Sequence, residues 1–153
     1  MAMVAVCMVG NKFILSNSEN IRGLVLSINL KKEVRGQIDE VTKRLIEKLS
    51  SQGFGVLTRI DFHDKIKEKL GKDIPPVIIL GACNPALAYE AFQRNTDVTS
   101  LIPCNAVVRM IDKEKVSVEL TKPSSLMAIL GDKELQQLAT EADFKLEKVL
   151  EEL

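Results

Sequence analysis

One stretch constrains this chain more than any other: PPVIILGACNPALAYEAFQRNTDVTSLIPC, residues 75–104. Val77, Ile78, Ile79 and Leu80 form a run of four apolar residues, three of them β-branched. A run that short predicts a strand covered on both faces. Gly81 and Ala82 end it with little side-chain bulk. Pro85 lacks an N–H and has a fixed φ, which suits the first position of a helix. It also pushes Asn84 out of the α region, as a helix N-cap requires. The helix should run from Pro85 to Arg94 and stop at Asn95. Cys83 then stands beside a helix N-terminus, where free N–H groups and the dipole favour a thiolate.

Cys104 lies between Pro103 and Asn105, at the start of another strand candidate. Taken alone, each cysteine reads as a small buried hydrophobe, because cysteine is among the most buried residue types. Together they share a pattern. Both lie at strand ends, both are followed by Asn, and both have a Pro close by. That repetition makes Cys83, Asn84, Cys104 and Asn105 the candidate site residues. The topology decides whether they meet. Antiparallel neighbouring strands bring the two cysteines to one end of the sheet, whereas parallel ones separate them.

These motifs resemble a known family, the small proteins of domain of unknown function 302. The matching pieces are Gly-Phe-Gly-Val-Leu at Gly53–Leu57, Lys-Glu-Lys-Leu-Gly at Lys67–Gly71, Ile-Leu-Gly-Ala-Cys-Asn-Pro at Ile79–Pro85 and Leu-Ile-Pro-Cys-Asn-Ala-Val-Val at Leu101–Val108. The resemblance implies an α+β fold and dimerisation, and it supplies no function. Residues 1–20 are unlike the family pattern and form a divergent N-terminal segment. Residues 21–153 form a single α+β domain.

At 153 residues the chain is long enough for one real hydrophobic core. Its 21 basic and 21 acidic residues cancel, which argues against nucleic acid or an anionic membrane as a partner. With one Tyr and no Trp, base-stacking platforms are not expected either. Three cysteines in a chain of this size do not make a disulfide scaffold. The opening MAMVAVCMVG is apolar but too short to span a bilayer, and it lacks the basic start of a secretory signal. A cytoplasmic location with reduced thiols is therefore expected. Cys7, with no motif around it, reads as structural.

Periodicity gives the remaining elements. Lys12–Ser16 and Gly23–Ile28 read as strands. Asn29 is a candidate cap for a helix running to Gln52, whose true start lies nearer Glu33 because Lys31 and Lys32 oppose the dipole of a first turn. Val34, Ile38, Val41, Leu45 and Leu49 make its apolar stripe. Phe54–Ile60 alternates as a strand with Phe54, Val56 and Ile60 on one face. Asp61 caps a helix over Phe62–Leu70, stopped by Gly71. His63 in its first turn reads as a surface residue, with no companion at metal-ligand spacing. Asn105–Ile111 and Lys115–Thr121 form a hairpin around Asp112-Lys113-Glu114. Pro123 ends the second strand, and a short helix from Ser124 or Ser125 reaches Gly131. Asp132 caps the last helix, which buries Leu135, Leu138, Ala139, Ala142, Leu146, Val149 and Leu153 and leaves Phe144 on the other side.

The expected architecture is therefore α+β: a mostly antiparallel sheet with helices packed on it, in two layers. A symmetric homodimer would cover the second face of the Val77–Leu80 strand. Two functional readings follow, and the sequence does not decide whether the protein is an enzyme. In the first, the Cys-Asn turns build a small-ligand or thiol-redox site, with Cys83 as the more nucleophilic thiol and the two Asn side chains orienting the ligand. No cofactor is identified and no metal site is assigned: two thiols are too few for a closed zinc site, and an open or dimer-shared metal site stays as an alternative. In the second, the protein is a non-catalytic homodimeric interaction module with structural cysteines. It rests on the lack of a phosphate loop, nucleophile elbow or metal motif.

Overall fold

The computed structural model describes residues 27–153. The expected strand Lys12–Ser16, most of Gly23–Ile28, and Cys7 lie outside the described residues. Five strands and five α-helices follow in the order β1 (Asn29–Arg35), α1 (Ile38–Ser51), β2 (Gly55–Asp61), α2 (Phe62–Leu70), β3 (Val77–Cys83), α3 (Pro85–Arg94), β4 (Cys104–Asp112), β5 (Lys115–Thr121), α4 (Pro123–Met127) and α5 (Lys133–Glu151). The strands form one sheet in the order β1-β5-β4-β3-β2. Every neighbouring pair is antiparallel, where the sequence leads one to expect a mostly antiparallel sheet and leaves the relative direction of β3 and β4 open.

The segment after Asn29 departs from expectation. It is a strand, and α1 begins only at Ile38. Val34 satisfies both periods: it continues the helical stripe toward Ile38, and it is also the buried residue of a strand in register with Val116. Cross-strand pairing decides between them. Lys31 stands opposite Glu119 with an ion pair at 3.3 Å, and Lys115 reaches Glu33 at 3.3 Å. Lys32 donates to the carbonyl of Leu150 at 2.7 Å, at the end of α5, where a cation suits the dipole. Gly36 has φ +135°, a conformation that a side chain strongly disfavours, and the chain turns there.

α1 and α5 cover one face of the sheet. Val41, Leu45 and Leu49 of α1 and Ala142, Leu146 and Val149 of α5 pack on Ile78, Leu80, Val108 and Val118. Each fully buried Leu or Val contributes roughly 1.5–3 kcal/mol relative to exposure. A second, smaller cluster gathers Ala91, Val98, Met127, Leu135 and Ala139. Val98 belongs to a 3-10 turn over Thr96–Ser100, in the segment read from sequence as an irregular connector. Its entry is held by the Asn95 side chain, which accepts from the Asp97 N–H at 2.9 Å.

Four smaller expectations change. β2 carries a bulge between Val56 and Thr58, so Val56 stays in register with Ala82 while Ile60 pairs with Ile79. The extra residue flips the second half of the strand, and Ile60 is 44% exposed rather than sharing a face with Phe54. Asp61 occupies the N-cap position of α2, but its carboxylate bonds Arg59 at 2.8 Å instead of capping. His63 is half-buried, and its Nδ1 accepts from the Val77 N–H at 3.2 Å, tying α2 to β3. α4 starts at Pro123 itself, in the first helical position.

Replacing Leu45, wholly enclosed between α1 and the sheet, with Ala should lower stability by roughly 2–5 kcal/mol. Phe144→Ala, at a residue 61% exposed, should shift it by less than about 0.5 kcal/mol. Denaturant unfolding of the two variants checks both values. A smaller loss for Leu45 than for Phe144 would contradict this core assignment.

Candidate functional site

The two Cys-Asn turns meet at one end of the sheet because β3 and β4 are antiparallel, with Ala82 directly opposite Cys104. Cys83 follows one residue on, where β3 passes into α3. Gly81 is required just before this point. A Cβ there would run into the Thr58 hydroxyl and would lie 2.9 Å from Cγ of Pro103. Pro103 thus packs on Gly81, and the next residue, Cys104, turns into the core.

Asn84 caps α3 as expected: its Oδ1 accepts from the Leu87 N–H at 3.2 Å. Its amide also closes over Gly53, where φ is +81° and a Cβ would come 3.2 Å from Nδ2. Asn105 does not join the other three. It alternates away from Cys104 and Ala106 along β4 and is exposed. Three of the four sequence-derived candidates therefore share one place.

That place is a cavity of about 50 Å³ between the two hydrophobic clusters. Cys83, Asn84 and Cys104 all line it. The space exists because small residues face one another: Ala82 from β3, Ala88 and Ala91 from α3, and Ala139 and Ala142 from α5. Met127 and Pro123 of α4 and Leu135 of α5 complete the far wall. Sequence reasoning placed Ala139 and Ala142 on a buried stripe without asking what alanines on facing helices leave empty. Met127 it missed altogether. The available signal was a pair of alanines on each of two helices, three residues apart.

A buried carboxylate fixes α4 against α5. Asp143 accepts from the backbone N–H of Ser124 at 3.1 Å and from the Ser124 hydroxyl. The same helix start is held by Gln136, whose amide donates to the Ser124 carbonyl at 3.0 Å. Met127 is thereby positioned from α5, although the two are not adjacent in sequence.

The electrostatics correct the expectation of an activated thiolate. Burial pushes the Cys83 thiol up from its ordinary value, despite the neighbouring helix N-terminus. Burial, followed by the proximity of Cys83 and of Asp143, pushes Cys104 up to about 11. Desolvation of the thiolate outweighs the helix dipole, because the cavity offers almost no polar lining. Both thiols are therefore protonated near neutral pH. Among the described residues, no group of three or more His, Cys, Asp or Glu side chains is arranged to hold a metal ion.

A thiol whose pKa is higher in the folded state stabilises the fold below its unfolded value of 9.0 and loses that contribution as pH rises toward 11. Stability should therefore fall between about pH 9 and 11, and Cys104→Ala should flatten that part of the profile. Urea unfolding across this range checks it, and an unchanged slope in the variant would refute the assignment. Asn84→Ala should cost about 1 kcal/mol through loss of the α3 cap, measurable in the same way.

The model of the family described as domain of unknown function DUF302 matches residues 30–153. A crystal structure of an uncharacterized conserved protein DUF302 from Bacillus stearothermophilus superposes with a TM-score of 0.76 at 29% sequence identity. The match covers 82% of this chain and 97% of that one. Comparison with curated proteins finds no match. Among the described residues, no helix is long and apolar enough to cross a membrane. The family match, the shared fold and the two Cys-Asn turns agree: this chain belongs to the DUF302 family.

Proposed function

We propose that this protein binds a small ligand in the cavity between α3, α4, α5 and the β3–β4 end of the sheet. The observation that carries this reading is the convergence of Cys83, Asn84 and Cys104 on one alanine-walled space. The thiols are walls and soft contacts in this reading, not nucleophiles. Their raised pKa values favour binding over thiol-redox turnover, which requires thiolate. Asn84, locked as the α3 cap, offers the polar atoms that would orient an occupant.

The homodimeric interaction module rests on a different surface. On the uncovered face, the pairing registers align Ile60, Ile79 and Val107 with Glu119 and Lys31 in one row across all five strands. Three residues of that row are apolar and two are charged. A second copy packed face to face would cover what is otherwise exposed, and the expected dimer belongs here.

For the cavity, native mass spectrometry of the protein as purified, compared with its denatured mass, should show a non-covalent adduct. Ala139→Leu, which fills the space, should remove it while the protein stays folded. Xenon provides an added probe, because dry apolar cavities take it up. It should shift the methyl resonances of Met127 and Ala139 in the parent protein and leave the Met127 methyl unmoved in the variant. A bare native mass together with no xenon response would sink the ligand reading. For the dimer, Ile79→Lys should halve the mass seen by sedimentation at micromolar concentration. A protein already monomeric before substitution would remove that reading.

A further inference from the structure

The donor atoms around the cavity are unusually soft. Cys83 comes from the end of β3, Cys104 from the start of β4 and Met127 from the end of α4. Three sulfur-bearing side chains from three elements thus border one space of about 50 Å³, with no His or carboxylate among the lining residues. A zinc site wants four strong ligands, or three and a water. Thiolate and thioether sulfurs select instead for soft ions such as Cu(I). The sequence argument against a closed zinc site counted zinc-type ligands and did not include a methionine bordering the same cavity as both thiols.

We propose that Cys83, Cys104 and Met127 form a binding site for a single Cu(I) ion. The proposal rests on the cavity being a ligand site, and it names the ligand class. On binding, two Cu–S bonds form as the two S–H bonds break, and both protons leave to solvent. The thioether of Met127 donates a lone pair, and the ligands that delivered the copper depart. No electron is transferred. The resulting centre carries one net negative charge, and it forms beside the N-terminus of α3, where the first-turn N–H groups and the dipole stabilise an anion. The lining suits this chemistry: it is almost wholly apolar and offers no carboxylate or imidazole to a harder ion.

The test is anaerobic titration of the reduced full chain with Cu(I) held by the chromogenic chelator bathocuproine disulfonate. The parent protein should withdraw one equivalent per chain, and X-ray absorption at the copper edge should show sulfur neighbours only. Loss of an outer-sphere partner already costs roughly 10–100-fold in metal affinity, so Cys83→Ser and Cys104→Ser should each cost at least about 100-fold. Met127→Leu, similar in volume, should cost about 10-fold and remove one sulfur from the copper shell. Circular dichroism checks that each variant is folded, and the parent titration stands without them. Failure of the parent protein to take copper from the chelator overturns the site, as does full retention of copper when both cysteines are replaced. An unchanged copper shell in Met127→Leu overturns the three-sulfur assignment. If xenon still enters the cavity while copper is refused, the metal assignment fails alone. If neither enters, the ligand reading fails with it.

Discussion

The pairing of β3 with β4 is the constraint on which the rest of the structure depends. Its register sets Ala82 against Cys104 and thereby brings the two turns, twenty residues apart in the chain, to one end of the sheet. Had those strands run parallel, the same motifs would stand at opposite ends with the sheet between them. The close contact of Pro103 with Gly81 fixes that register locally, since only glycine leaves room for the proline ring there. α3 departs from this point with its cap already formed, and α5 crosses behind it. The cavity is what remains when alanines face one another across that junction.

Two opposing effects act on the thiols, and their magnitudes differ. The α3 N-terminus attracts negative charge, an influence worth about 0.3–1 kcal/mol at an exposed position and confined to the first turn. Removing a thiolate from water into an apolar recess costs more, and the raised pKa of both cysteines records that balance. The same helix terminus that fails to ionise a free thiol still favours an anionic occupant held by sulfur, because bond formation then compensates the desolvation. The site is better suited to holding something than to attacking it.

Much of this was legible from the residues. The α3 cap, the hairpin of β4 and β5 and the Asp132 cap of α5 all follow from local chemistry: a proline after an asparagine, a polar turn between alternating strands, a carboxylate before an apolar stripe. What was not legible depends on partners distant in sequence. Asn29–Arg35 reads as the start of a helix until β5 supplies Glu119 and Val116 as neighbours. The bulge after Val56 has no local signature, yet it turns Ile60 to the opposite face. Met127 carries no motif, and its place on the cavity wall follows from Asp143 holding Ser124 across a helix–helix contact.

The bulge in β2 has a consequence for how copies of this molecule can meet. Among the described residues β2 and β1 are the two borders of the sheet, and each is poorly made for receiving another strand. On β2 the irregular backbone interrupts the row of hydrogen-bonding groups, and Arg59 bridges Asp39 and Asp61 alongside it. On β1 the exposed Lys31, Glu33 and Arg35 keep the border hydrated. Strand-to-strand extension into a continuous ribbon is therefore disfavoured at both ends. Growth of this sheet by added strands is thus opposed by charge on one border and by an irregular backbone on the other.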